Sequence, residues 1–424
     1  MTRQPEVSAP RTAGPSSIRP ARRASGVGLL GPAFVAAIAY VDPGNVAANL
    51  TAGAEYGYLL LWVLVVANVM AMLVQYLSAK VGLVTGQSLP ELLGGRMRTW
   101  PRRLYWLQAE LVAAATDVAE VIGGALALYL LFGVPLPLGG LIVGLVSMLL
   151  LTIQSRRGQR SFEFVVIGLL AIITIGFLAG LLFSPLDGQG MLEGLVPRFQ
   201  GTQTVLLAAS MLGATVMPHA VYLHSALARD RHGAAHTPSG LRRLLTVTRW
   251  DVGLSLIVAG GVNIAMLLLA AASLRGVEGT DTIEGAHAAI TDALGPTIGV
   301  VFALGLLASG LASTSVGCYA GATIMSGLLK VRIPMVARRA ITLIPALIIL
   351  AMGVDPTWAL VMSQVLLSLG LPFALIPLAR LTENKTLMGV FRNGTVLRVI
   401  TWVVILLIVV LNLLLIWLIA TGQA

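Results

Sequence analysis

Ala39-Tyr40-Val41-Asp42-Pro43-Gly44-Asn45 lies inside an apolar run of about residues 29–53, and its reading decides the fold. A carboxylate, a proline, a glycine and an amide in mid-run cannot belong to one continuous helix. Pro43 lacks an N–H and its ring collides with the preceding turn, while Gly44 tolerates unwound backbone, so carbonyls near Ala39 are expected to lose their helical partners. In a bilayer such backbone persists only where it lines a cavity or is buried in protein. A second disruption, Ala214-Thr215-Val216-Met217-Pro218-His219, follows 175 residues later in another apolar run. The frames Ala39-x-Val41-x-Pro43 and Ala214-x-Val216-x-Pro218 share their residue types.

The surrounding chain is a membrane protein's. Of 424 residues, 57% are hydrophobic and 11% charged, against about 25% charged in soluble domains. Apolar runs bounded by charged or Gly/Pro-rich connections predict eleven transmembrane helices near 29–53, 58–84, 103–132, 138–154, 162–184, 203–229, 250–274, 296–328, 336–353, 357–379 and 396–419. No room remains for a soluble catalytic domain. The single Cys318 excludes a disulfide framework, a four-cysteine zinc site and an iron–sulfur cluster. The Pro-, Ser-, Ala- and Arg-rich residues 1–25 are expected to be a disordered tail, and not a cleaved signal peptide.

Of the 28 basic residues, 25 fall in the tail and in the 2–3, 4–5, 6–7, 8–9 and 10–11 connections. Lys and Arg are retained in cytoplasmic loops, so the N-terminus is expected to be cytoplasmic and the C-terminus external. The net charge of +10 thus reflects orientation and no nucleic-acid partner. The broken spans 1 and 6 are five spans apart and enter from opposite sides, which is the pattern of two inverted five-helix repeats, and paired breaks mark a transporter's midplane site. The expected division is a tail (1–25), a first repeat (26–190), a second, inverted repeat (200–380) and an eleventh helix with an external C-terminus (395–424).

The breaks supply an anionic oxygen (Asp42), an amide oxygen (Asn45), a thioether (Met217) and carbonyls near Ala39 and Ala214. This donor set suits a divalent metal, and the sulfur shifts preference from Mg²⁺ and Ca²⁺ toward Mn²⁺, Fe²⁺, Co²⁺ or Cd²⁺. The competing reading makes Met217 packing and Asp42 a buried helix cap. Span 3 carries Glu110, Asp117 and Glu120 near one helical face, where ionised carboxylates must face the interior, find counter-charges or hold protons. The nearest basic candidates are Arg338 and Arg339. A static ion-pair network is the alternative to a proton route. His219, beside the second break, reads as a proton relay or gate residue and His224 equally well as packing; a structural zinc site lacks a third ligand. His232, His236 and His287 are expected in loops.

The motifs Asp42-Pro43-Gly44-Asn45 and Met217-Pro218-His219, followed by Tyr222-Leu223-His224-Ser225, resemble those of the Nramp family (natural resistance-associated macrophage proteins), as do Thr116-Asp117-Val118-Ala119-Glu120 and Ser309-Gly310-Leu311-Ala312-Ser313. The resemblance runs from about Gly31 to the end of the chain. It implies an all-α polytopic membrane protein with the leucine-transporter-like 5+5 inverted repeat, and proton-coupled import of divalent transition metals across the plasma membrane by alternating access. It also implies metal ligands at Asp42, Asn45, Met217 and the carbonyls of Ala39 and Ala214, with Gln364 in span 10 as a further ligand in some conformations. Arginines such as Arg338 and Arg339 are implied beside the span 3 acids. Magnesium-transporting relatives lack the methionine. The partners expected are the metal ion, protons and the lipid bilayer, with no cofactor and no obligatory protein partner.

Three other functions fit less well. A sodium-coupled amino-acid carrier on the same fold would not carry a mid-span aspartate with a methionine. An intramembrane enzyme lacks a His-Glu-x-x-His pair or a matched nucleophile. A channel does not account for paired broken helices.

Overall fold

The computed structural model describes residues 31–157, 159–233, 237–331 and 333–422; the expected tail (1–25) and His236 lie outside the described residues. All eleven spans are helical. The first is split into α1a (Pro32–Ile38) and α1b (Pro43–Tyr56), and the sixth into α6a (Thr202–Val216) and α6b (Pro218–His232). The others are α2 (Leu61–Thr85), α3 (Thr99–Phe132), α4 (Leu136–Arg157), α5 (Gln159–Leu181), α7 (Pro238–Ser273), α8 (Pro296–Leu328), α9 (Met335–Ala351), α10 (Pro356–Glu383) and α11 (Thr395–Ala420). Among the described residues there is no β-strand. Among the described residues, and counting α6 as one, seven of these are long and apolar enough by themselves to cross a membrane; α1 is broken and α9 is shorter.

Local chemistry sets the boundaries. Six segments begin on proline, at 32, 43, 218, 238, 296 and 356, where the missing N–H is an orphan of the first turn in any case. α2 and α3 end at Gly86 and Gly133, whose left-handed backbone (φ 66° at both) closes the last turn without a Cβ penalty. The start of α1a is capped from afar: Asp251 of α7 accepts the N–H groups of Gly31 and Ala33, each at 3.0 Å.

Two sequence expectations need correction. α7 begins at Pro238, not near 250, because the Thr237 hydroxyl accepts the Gly240 N–H and starts a helix through Arg242, Arg243 and Arg249 before the apolar run opens. At about 1.5 Å per residue its length exceeds the roughly 30 Å hydrocarbon thickness, and hydropathy registers only the buried part. His287 is not in a loop: it lies on a connecting helix (Ile283–Leu294), with its ring 6.2 Å from that of Phe302. His232 likewise closes α6b.

Packing places the breaks at the centre. α8 lies against α3 and α5, α7 against α1b and α2, and α10 against α6a and α3. Without water between helices, close backbone approach replaces the hydrophobic effect as the source of cohesion. At the α3–α8 crossing, a methyl on Gly310 would stand 2.9 Å from the backbone nitrogen of Gly124. α11 rests mainly on α10 and turns an apolar face outward, including Val403, Leu406, Val410 and Leu413.

Candidate functional site

Below α1a, Ala39–Val41 form a single tight turn and Asp42 adopts extended backbone before α1b starts. Ala39 therefore stays within a turn, and the carbonyls passed to neighbours are those of the next two residues. Tyr40 accepts the Asn263 amide of α7 at 2.7 Å, and Val41 the Ser309 hydroxyl of α8 at 2.5 Å. Asp42 caps α1b, its Oδ1 accepting the Asn45 backbone N–H at 2.8 Å and the Asn45 side-chain amide at 2.7 Å.

The second break faces the first. Met217 leaves helical geometry, and Pro218 has no N–H for the carbonyl of Ala214 four residues back. Asn45 donates to that carbonyl at 3.1 Å. From α10, the Gln364 Nε2 donates to Asp42 Oδ2 at 3.3 Å. Gln364 fits because its flanks are glycine: a methyl on Gly44 would lie 1.7 Å from its Nε2, and one on Gly213 2.2 Å from its carbonyl oxygen. Ala39, Asp42, Asn45, Ala214, Met217 and Gln364 are each no more than 1% exposed.

Among the described residues, the buried amide oxygens of Asn45 and Gln364 meet no hydrogen-bond donor. An unpaired acceptor in this environment is costly unless a cation or donor meets it. Turned end for end, either amide would present oxygen where it now presents N–H, so each can serve Asp42 as a donor or stand beside it as a ligand. The donors brought together are one carboxylate, two amides and a released carbonyl, and Met217, at the second break itself, is the candidate sulfur donor; such a set fits a divalent ion tolerant of sulfur. Among the described residues no three His, Cys, Asp or Glu side chains cluster as a metal site. The donors here are mostly amide, thioether and backbone.

The α3 acids meet α9. Arg338 pairs with Glu110 at 2.6 Å and with Asp117 at 3.6 Å; Arg339 pairs with Asp117 at 3.6 Å and donates to Ser147 at 2.9 Å. Glu120 lies beside Asp117, both carboxylates reaching within 3.2 Å of where a methyl on Gly317 would stand. His219 of α6b contacts the Thr116 hydroxyl at 3.3 Å, tying the second break to the α3 acids. Glu120 and both arginines keep buried polar atoms without hydrogen-bond partners. His224 is a buried histidine whose Nδ1 meets Gln75 Oε1 at 2.7 Å, and Gln75 in turn donates to the Tyr40 hydroxyl. Sequence reasoning missed Gln75 and Asn263, whose only signal is being polar in apolar spans, and gave Ser309 no role beyond its place in the Ser309–Ser313 motif.

Two cavities flank the site. On the Arg-rich side, one of about 280 Å³ is lined by Glu91, Arg229, Asp230, Tyr319, Ser326 and Arg338. Across its mouth Arg229 pairs with Glu91, on a short helix (Leu89–Arg96), and with Asp230 at 2.7 Å. Although partial burial works against it, the Ser88 N–H and Arg229 hold the Glu91 carboxyl below the ordinary glutamate range. On the opposite side, one of about 590 Å³ is lined by Glu55, Asp281, Asp355 and Val365, among others. None of the six central residues lines either cavity.

Two broken helices meeting at a buried polar centre, flanked by a cavity on each side, define a membrane transporter with the leucine-transporter-like fold. A nucleobase-cation-symport-1 family transporter in a closed conformation shares the fold, with TM-score 0.55, 16% identity, and coverage of 92% of this chain and 91% of that one. The family model described as natural resistance-associated macrophage protein-like matches residues 33–418. The chain is 62% identical over 394 residues to the divalent metal cation transporter MntH of Mycobacterium tuberculosis, covering 93% of this chain and 92% of the relative. A crystal structure of the Eremococcus coleocola manganese transporter superposes with TM-score 0.84 at 30% identity, covering 95% of this chain and 89% of that one. The chain belongs to the Nramp family, and it is a divalent metal cation transporter, not an enzyme.

Proposed function

We propose that the protein imports Mn²⁺, and also Fe²⁺, Co²⁺ and Cd²⁺, across the plasma membrane in symport with protons, with the Arg-rich side and N-terminus cytoplasmic and the C-terminus external. The carrying observation is the Asn45 bridge between Asp42 and Ala214, beside two buried amide oxygens that lack donors. The metal is held by Asp42, Asn45, Met217 and the Ala214 carbonyl, with Ala39 and Gln364 joining as the helices tilt. The thioether disfavours Ca²⁺ and Mg²⁺. Support for manganese also comes from the naming of the structural relative as a manganese transporter.

The proton takes a separate route. A dication arriving at Asp42 competes with a proton for that carboxylate, and the displaced proton is driven by repulsion toward Glu120 and Asp117. His219 borders this step. Arg339, Arg338 and Glu110 then carry the line to the Arg-rich cavity, which Arg338 itself lines. The two five-helix repeats, 26–190 and 200–380, move about the central site, with no resident cofactor. Uptake of Mn²⁺ into liposomes, with a pH-sensitive dye inside and an imposed pH gradient, tests this: metal entry should accelerate with an inward proton gradient and acidify the lumen. Metal entry without acidification would refute the coupling and leave a uniporter.

A further inference from the structure

α10 carries two prolines inside the helix, Pro372 and Pro377, each of which withholds an N–H from the carbonyl four residues earlier. Both stranded carbonyls are met from other helices. Asn412 of α11 donates to the Ser368 carbonyl at 2.7 Å and accepts the Ser368 hydroxyl at 2.8 Å, so both ends of its amide serve one residue. The Phe373 carbonyl is taken by the Tyr105 hydroxyl of α3, which also meets Tyr222 of α6b at 2.7 Å. Asn412 is 4% exposed on a helix that otherwise faces largely outward. An amide there needs a reason, since polar groups at bilayer depth are costly.

We propose that Asn412 is a positioning residue for Gln364: by giving the Ser368 carbonyl the donor that Pro372 cannot, it fixes the bend of α10 that holds the Gln364 side chain over Asp42. Ser368 lies one helical turn beyond Gln364. Its backbone nitrogen would stand 2.7 Å from a methyl on Gly213, the same glycine that receives the Gln364 carbonyl, so a shift at Ser368 passes to Gln364. Once released by Asn412, the Ser368 hydroxyl can turn back on the carbonyl four residues earlier, which is that of Gln364, and rebend the helix. α11, outside the inverted repeat, thereby sets the geometry of a residue inside the transport site.

The inference rests on Gln364 belonging to the metal site, so Gln364→Ala is measured beside it. In liposome Mn²⁺ uptake, Asn412→Leu should raise the half-saturating concentration about fivefold with little change in maximal rate, and in the Gln364→Ala background should add almost nothing, as coupled residues do. Additive effects, or an unchanged half-saturation with reduced yield, would overturn the inference. If Asn412→Leu folds poorly, Pro372→Ala is combined with it, because the restored N–H satisfies Ser368 from within α10. That pair should regain the wild-type melting temperature while keeping weak Mn²⁺ affinity; wild-type affinity would mean that the amide only satisfies a carbonyl. A Gln364→Ala variant with normal affinity would remove the metal-site reading and this inference together, whereas a strong Gln364→Ala effect with a silent Asn412→Leu removes the inference alone.

Discussion

Asn45 donates its side-chain amide to the carbonyl oxygen of Ala214 at 3.1 Å, across 169 residues of sequence, and this bond joins the break in α1 to the break in α6. Pro218 creates the acceptor by leaving that carbonyl without a helical donor. The same amide also holds Asp42, so the donors from the two repeats are set by one side chain. A tilt of α1b against α6a must break this bond. The proposed alternating access, if it tilts α1b against α6a, would therefore take the centre apart and remake it.

Asp42→Ala should abolish Mn²⁺ uptake while the protein still folds. The variant loses the only carboxylate of the centre and a helix cap, and the cap accounts for about 1 kcal/mol, with roughly 2 as an upper bound. Melting in detergent should therefore shift only slightly. Uptake near the wild-type level would remove Asp42 from the site.

Met217→Ala should keep Mn²⁺ transport at lower affinity and admit Ca²⁺. Removing the sulfur leaves oxygen donors, which no longer penalise a hard ion. The measurement is competition: excess Ca²⁺ should inhibit the variant by at least about tenfold more than the wild type. Equal inhibition would make Met217 a packing residue, as its complete burial also allows.

Both breaks were legible in the sequence because Pro43, Gly44 and Pro218 are local signals that no apolar run tolerates silently. The eleven spans followed from hydropathy. The start of α7 was hidden because Arg242, Arg243 and Arg249 ride on a helix that leaves the apolar region. A polar residue inside a span announces that it faces the interior but not what it meets. Hence Glu110, Asp117 and Glu120 could be placed on one face and Arg338 and Arg339 offered as partners, while the 2.6 Å pairing of Arg338 with Glu110 needed coordinates. The same holds for Asn263 on the Tyr40 carbonyl and for Gln75 between His224 and Tyr40. The freed carbonyls expected near Ala39 are those of Tyr40 and Val41, because the chain closes a tight turn before it unwinds.

Glu91→Gln should loosen the Arg-rich side. With Cys318 replaced by serine and a cysteine introduced at Ser326 on the cavity wall, thiol labelling should quicken about two- to fivefold, the scale of a partly exposed ion pair. A carboxyl held below its ordinary value contributes above the unfolded value and loses that contribution only as pH falls through the folded one. Glu91 thus stays ionised between about pH 5.5 and 8, and the ratio of variant to wild-type rates should be constant across that range. A ratio that collapses at the acid end would show that Glu91 had already taken a proton there.

Asp117→Asn and Glu120→Gln should separate protons from metal. Both side chains are buried on α3, outside the two breaks, and neither contacts Asp42 or Asn45 by a hydrogen bond, so Mn²⁺ binding should change by less than about threefold. Asp117 faces both arginines, and its neutralisation leaves two buried guanidinium groups with less counter-charge. That also destabilises the α3–α9 contact, since breaking a buried pair costs about 3–5 kcal/mol. Melting temperature must therefore be read beside flux, and Glu120→Gln is the cleaner variant because, among the described residues, no arginine pairs with it within 4.0 Å. In liposomes recorded simultaneously for metal and pH, Mn²⁺ entry by the Glu120→Gln variant should persist while the accompanying acidification falls or stops following the metal. Acidification unchanged in both variants would leave the α3 acids and α9 arginines as a static clamp.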